Sequence, residues 1–314
     1  MKKEKTGILL IASYFFLIFS LNLLSCNISA DKSHNSTGTK SKSFAGYNFT
    51  DSDETIILPA ILHEISGITI IDSSTIACVQ DENGIVFIYD ILRKEIMRQI
   101  SFHGNGDYEG ITRVNDTIYV LRSDGVLYEI TNLKSSGIAR EILLKKISDN
   151  DNEGLCYDQK NKRLLIAPKD KLRIDSEDKD IREIYGFDLK TGDLIKKPVI
   201  NIDLSGIKKF ASENMVFSQG KSKKENPEDK PDIKFRPSAI GIHPLTEKLF
   251  VLSATEKILY IFNLNGTIKD MIKLNPDIFN MPEGIAFFKN GDMLVSNEGQ
   301  NKMPTLLRFN FKSN

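Results

Sequence analysis

Five short segments of the chain each put a polar residue two positions ahead of an Ile or Leu. They are Glu64–Ile68, Asp107–Ile111, Asp151–Leu155, Arg236–Ile240 and Met281–Ile285, and their third residues are Ser66, Glu109, Glu153, Ser238 and Glu283. Three carboxylates and two hydroxyls in equivalent positions suit a hard cation, because Ca²⁺ takes about six to eight oxygen ligands and has no need of His or Cys. If the five side chains converge without a cation, mutual repulsion must raise a carboxyl pKa. In the bland alternative, each Glu accepts hydrogen bonds from strand N–H groups of a neighbouring unit. Glu64, Asp107 and Asp151 stand two residues before the same positions, adding acidity beside them.

What could bring five such distant residues together is a repeat. Successive ring residues lie 43, 44, 85 and 45 positions apart. Each segment is followed by a short Val/Ile/Phe-rich run, a polar turn and a second run. A period in the forties with about four strands per unit is the signature of a β-propeller. The first unit reads as strands 67–71, 75–80, 85–90 and 95–102, with Asp81-Glu-Asn-Gly84 as a turn. Across the interval of 85, the charged stretches Lys169–Arg182 and Lys221–Lys234 have no strand pattern. Counted as insertions they leave one blade, giving five in all; the alternative is a sixth, degenerate blade. The last unit ends after three strands, and the run Thr55–Pro59 can supply the fourth and close the ring. The expected class is thus all-β, a five-bladed propeller closed by an N-terminal strand.

In a propeller, the loops between strands D and A and those between B and C share one face. On that face the sequence puts Glu64, Asp81, Glu82, Asp107, Asp124, Asn297 and Glu298. His63 and His103 precede strand A there and are the candidate bases for a hydrolytic reaction, against the plainer reading of two surface histidines. His243 falls on the opposite face. No Gly-x-Ser-x-Gly, zinc or phosphate-loop pattern is present.

The N-terminus reads as an export signal. Lys2, Lys3 and Lys5 precede an apolar run from Ile8 to Leu24, which ends at Ser25-Cys26. That ending resembles the lipobox of bacterial lipoproteins. The resemblance implies a signal peptide over 1–25, lipid on Cys26, and a bacterial envelope location with the protein anchored to a membrane, on the periplasmic side or at the cell surface. Residues 26–46 read as a tether and 47–314 as the propeller domain. An uncleaved membrane anchor is the competing reading. Cys78 and Cys156 sit in apolar strand patterns and read as buried thiols. Lys+Arg and Asp+Glu both number 42, a balance that argues against a nucleic-acid partner.

The ordered set Leu58-Pro59, Glu64-Ile-Ser-Gly, Asp81-Glu-Asn-Gly, Gly106-Asp-Tyr-Glu-Gly110, Asn152-Glu-Gly, Pro237-Ser238, Pro282-Glu-Gly and Ser296-Asn-Glu-Gly resembles the SdiA-regulated protein family over about residues 55–312. The resemblance implies a five-bladed propeller, distantly NHL-repeat-like, with a calcium site and no assigned biochemical role. Two functions follow as expectations. One is a calcium-binding interaction module for a protein, glycan or small-molecule ligand. The other is a calcium-dependent lactonase, esterase or phosphoesterase with Glu109, Glu153 and Glu283 as ligands.

Overall fold

A computed structural model describes residues 46–147, 151–170, 180–214, 216 and 233–313. The signal and lipobox residues, Cys26 included, and nearly all of the stretch Lys221–Lys234 lie outside the described residues. Among those described, no helix is long and apolar enough to cross a membrane.

Five antiparallel sheets follow one another along the chain. In blade 1 the strands A to D are Ile65–Ile70, Thr75–Gln80, Asn83–Asp90 and Glu95–Asn105. Blade 2 comprises Tyr108–Val114, Thr117–Arg122, Val126–Thr131 and Ile138–Leu143. In blade 3, Asn152–Asp158, Arg163–Pro168 and Ile181–Asp188 are followed by a broken fourth strand, Asp193–Leu194 and Ile200–Asp203. Blade 4 is Ala239–Ile242, Leu249–Ser253, Ile258–Phe262 and Ile268–Lys273. Blade 5 takes Pro282–Phe287, Met293–Asn297 and Thr305–Phe309 from the C-terminal end, and its outer strand, Glu54–Ile57, from the N-terminal end. Glu54 pairs with Arg308 and Ile57 with Thr305, so the expected closure is present.

The interval of 85 residues is one blade with insertions, as its charge-rich stretches imply. Among its described residues, it also holds an α-helix at Leu204–Glu213 that the repeat does not predict. Asp203 caps it by accepting from the Ser205 N–H at 2.8 Å, and Leu204, Ile207 and Ala211 form its buried face. Blade 1's strand A starts two residues earlier than the sequence suggests and its strand D runs three further, because the ladder continues through irregular pairs at both ends.

The core is spread between blades as apolar clusters, each drawing side chains from adjacent sheets. Cys78 and Cys156 are buried free thiols. Burial holds the Cys78 thiol up at about 12.

On the face carrying the A–B and C–D turns, the first described residues join the ring before the closing strand does. Tyr47 is fully buried, and its hydroxyl donates to the Gly291 carbonyl in the A–B turn of blade 5. Lys312 N–H donates to the Gly46 carbonyl at 2.8 Å. Tyr47 lies against His243, Phe250 and Phe311, with ring centroids 5.4 to 6.2 Å away. His243 directly follows strand A of blade 4 and accepts from the Leu245 and Thr246 N–H groups on Nδ1, both at 3.1 Å. Its buried Nε2 meets no partner among the described residues, and burial lowers its pKa to about 4.

Candidate functional site: the mouth of the central channel

All five A strands line one central channel. A small solvent-open hollow there is walled by Glu109, Glu153, Ser238 and Glu283 at one level and, two residues further along each strand, by Ile68, Ile111, Leu155, Ile240 and Ile285. The channel is polar at its mouth and aliphatic below.

The local cause is a set of β-bulges. The A–B register shifts between Ile65 and Ile68, Tyr108 and Gly110, Asn152 and Gly154, and Pro282 and Gly284. Four of the five ring residues therefore occupy the extra position of a bulge, which takes them out of the ladder's alternation. In blade 4 the ring residue instead precedes the strand, and the Ser238 N–H donates to the Leu252 carbonyl at 2.8 Å. The following Gly is needed for close approach between blades. A Cβ on Gly110 would sit 2.5 Å from the Leu155 Cβ, and one on Gly284 would sit 2.6 Å from the Ser66 carbonyl.

Ser66, Glu153 and Ser238 are buried, while Glu109 and Glu283 are half-buried. The Ser66 hydroxyl donates to Glu109 Oε2 at 3.0 Å, and the Ser238 hydroxyl donates to the Pro282 carbonyl at 2.8 Å. Glu153 accepts a hydrogen bond from the Lys169 ammonium, which also lies 3.5 Å from Asp151. Burial, followed by repulsion from Glu153, Asp107 and Glu283, pushes the Glu109 pKa up to about 10. Burial and Glu283 raise Glu153 to about 8, against the pull of Lys169. Burial also raises Glu283, opposed by Lys169 and Lys257. Bare carboxylates at this mouth are costly to ionise together, as expected for like charges away from water.

The sequence did not single out Lys169 or Lys257 as countercharges. Each sits in a B–C loop, and nothing in the pattern shows where a long side chain there will turn. Burial lowers the Lys257 pKa, and its ammonium donates to the Ala254 carbonyl at 2.6 Å.

A further grouping extends outward from the ring. Ligand oxygens of Asp107, Glu109 and Asp151 all lie within 4.8 Å of one another. Of the five predicted ligands, Glu109 belongs to this group. Its two companions come from the positions two residues ahead of the ring. All three are hard oxygen donors and fit Ca²⁺ or Mg²⁺ better than a soft metal.

On the blade 1 and blade 5 side, Glu64 is drawn low by hydrogen bonds with Glu298 and His63, and burial together with Glu64 drives Glu298 up. Asp81 is raised to about 6, first by burial and then by Glu64, Asp107 and Glu82, and its buried Oδ1 meets no partner among the described residues. Asp124 is held low by Arg122 at 2.9 Å. Asn297 lies inside the blade, where its amide donates to the Ile278 carbonyl and Thr305 Oγ1, both at 3.0 Å. The two candidate bases are both engaged. His63 Nδ1 is 2.6 Å from Glu64 Oε1, and His103 spans the Tyr108 hydroxyl at 3.0 Å and Glu141 at 3.1 Å.

Fold and channel together define a five-bladed β-propeller with an acidic mouth. No protein-family model and no curated protein matches the sequence. Solved structures similar to this chain include glutaminyl cyclase from Myxococcus xanthus, 10% identical, covering 83% of this chain and 95% of that one at a TM-score of 0.53. Streptogramin B lyase is 15% identical, with 81% and 67% covered and a TM-score of 0.43. Virginiamycin B lyase from Staphylococcus aureus is 13% identical, with 82% and 73% covered and a TM-score of 0.42. These neighbours are enzymes, and at such identities the likeness is one of fold alone.

Proposed function

We propose that this is a lipid-anchored lipoprotein of the bacterial cell envelope whose propeller binds Ca²⁺ at the channel mouth and presents that face to a protein, glycan or small-molecule ligand. The carrying observation is the surplus of carboxylates at the mouth. Glu109, Glu153 and Glu283 line the channel, exposed Asp107 and Asp151 bring carboxylate oxygens within 4.8 Å of Glu109, and the ion pairs at the ring come from Lys169 alone among the described residues. A divalent cation would offset the burial and the repulsion that together raise the Glu109 pKa. Asp107, Glu109 and Asp151 would supply its nearest oxygens, with Glu153, Glu283, Ser66 and Ser238 behind them. The resemblance of the ordered motifs to the SdiA-regulated family supports the same reading, as does the lipobox-like end of the apolar run at Cys26.

Calorimetric titration of the mature protein with Ca²⁺ tests this. Binding that disappears in Glu109→Gln/Glu153→Gln and in Asp107→Asn/Asp151→Asn is the expected result. A wild type that takes no Ca²⁺ sinks the metal site and leaves a purely structural ring.

The hydrolase reading draws on Glu64 and Glu298, hydrogen-bonded carboxyl groups shifted in opposite directions, one toward ionised and one toward protonated. Such a pair suits acid–base work. Under this reading, Ca²⁺-loaded protein turns over a lactone, ester or phosphoester, and Glu298→Gln stops it without changing the melting temperature.

A further inference from the structure

We infer that Tyr47 and Phe311, from the two ends of the propeller domain, form an acid-released clasp over His243, which lets go at the seam of blades 4 and 5 while the five-bladed ring stays closed. The inference concerns the face away from the channel mouth and depends on neither the cation site nor the anchor.

The His243 imidazole is fully buried among four rings, with centroids 4.7 to 5.9 Å from its own. Two of these are held by strand ladders: Phe250 pairs with Gly241 and Ile261, and Phe287 with Met293. Tyr47 and Phe311 lie outside the five sheets. The Tyr47 hydroxyl donates to the Gly291 carbonyl, the Phe311 N–H donates to Asp292 Oδ1 at 3.0 Å, and the Lys312 N–H donates to the Gly46 carbonyl at 2.8 Å. These two side chains are the movable walls around the imidazole.

The chemistry follows from the nitrogens. Nδ1 accepts from the Leu245 and Thr246 N–H groups, so the neutral ring carries its proton on Nε2, which meets no partner among the described residues. A second proton has only Nδ1 to go to. There it faces two N–H donors, breaks both bonds of the blade 4 turn, and puts a charge among hydrocarbon rings. Attraction of the cation to the ring faces offsets part of that cost but restores neither turn bond. Water reaches the charged imidazole when the two walls that no ladder holds move aside.

Asp292 works in the same direction. Burial opposes its ionisation, but Arg308 at 2.6 Å, the Phe311 N–H and Asn290 outweigh burial and hold the carboxyl below the usual range. Its grip on Phe311 is therefore lost as pH falls through that lowered value, while burial keeps His243 neutral until pH falls toward 4. Burial and Asp292 keep the Tyr47 hydroxyl protonated. On the His243 turn, Glu247 pairs with Lys160 at 2.9 Å and Lys248 donates to Asn263 at 2.6 Å. Lys289 and Lys312 stand exposed. Closure of the ring is separate from the clasp, because it rests on Glu54–Ile57 paired with Thr305–Arg308.

The chain contains no Trp, so Phe311→Trp in the full chain gives a single reporter. Acid titration should red-shift its emission with a midpoint near pH 4, while the β signal in far-ultraviolet circular dichroism persists to lower pH. His243→Asn keeps an acceptor for the turn N–H groups and does not titrate there, so it should move the midpoint down by about one pH unit or more. Emission that changes only together with the β signal, or a midpoint that His243→Asn leaves in place, overturns the proposal. Hydrogen exchange of the unsubstituted protein reads the clasp independently. Between about pH 6 and about pH 3.5, protection of the Phe311 and Lys312 N–H groups should fall several-fold more than that of the Leu58 N–H, which is bonded to Pro304 beside the closing strand. An equal loss at all three overturns the proposal as well.

Discussion

The channel mouth and the aromatic cluster around His243 both bury ionisable groups, with opposite consequences. At the mouth several carboxyls share one space, and burial plus mutual repulsion pushes them toward the protonated form. At the far face a single imidazole is packed among Tyr47, Phe250, Phe287 and Phe311, and burial pushes it toward the neutral form. One group alone becomes neutral and stops there. Several like groups together leave a standing demand for positive charge.

Four substitutions or titrations press on that contrast. The largest effect belongs to the aromatic cluster. Tyr47→Ala removes a fully buried ring and its hydrogen bond, and should cost about 3–5 kcal/mol in chemical denaturation. A loss near zero would mean that the N-terminal segment is not part of the cooperative unit. At the mouth, Lys169→Met takes the ammonium from buried Glu153. A fully buried pair broken this way loses 3–5 kcal/mol, but Lys169 is one-third exposed, so about 2 kcal/mol is expected. Under the proposed Ca²⁺ site, the loss should shrink in millimolar Ca²⁺; if it does not, the cation does not reach Glu153.

The pH dependence should split between the two regions. Glu109 and Glu153 bind protons more tightly folded than unfolded, so their contribution is complete below about pH 4.5 and is lost as pH rises toward 8 and then 10. His243 binds its proton more weakly when folded, so its contribution is present above about pH 6.5 and is lost as pH falls toward 4. Melting temperatures of Glu109→Gln/Glu153→Gln should lack the alkaline decline, and those of His243→Leu should lack this part of the acid decline. Ca²⁺ should flatten the alkaline slope of the wild type. The smallest effect is Ser66→Ala, about 1 kcal/mol for its bond to Glu109.

Much of this architecture was legible in the sequence, since a propeller writes itself as a repeat. Spacings of 43 to 45, the three-strand final unit and the unpaired strand-like run before the first unit led directly to the closed five-bladed ring. The ring positions were legible because the Ile or Leu two residues later marks the same depth in every blade. What the ring does locally was not. A bulge leaves only a weak trace in a single strand, here the Glu-Gly or Ser-Gly pair, and that pair reads equally well as a turn. Lys169 was hidden for another reason: its partner Glu153 is sixteen residues away across the A–B hairpin, at the bulged end of the paired strand. The helix after Asp203 could have been found. Leu204, Ile207 and Ala211 follow helical spacing behind a capping Asp, a pattern foreign to the four-strand unit.

The closing strand has a consequence in time. Glu54 emerges from the ribosome early, yet its partner Arg308 is made about 250 residues later, a delay of roughly 10 to 50 s at ordinary synthesis rates. Until then the sheet of blade 5 cannot form, and the strand at the start of the domain has an unfilled edge. A truncated chain would keep that edge indefinitely. The protein thus carries its own proof of completion, since the ring locks only when translation has reached its last blade.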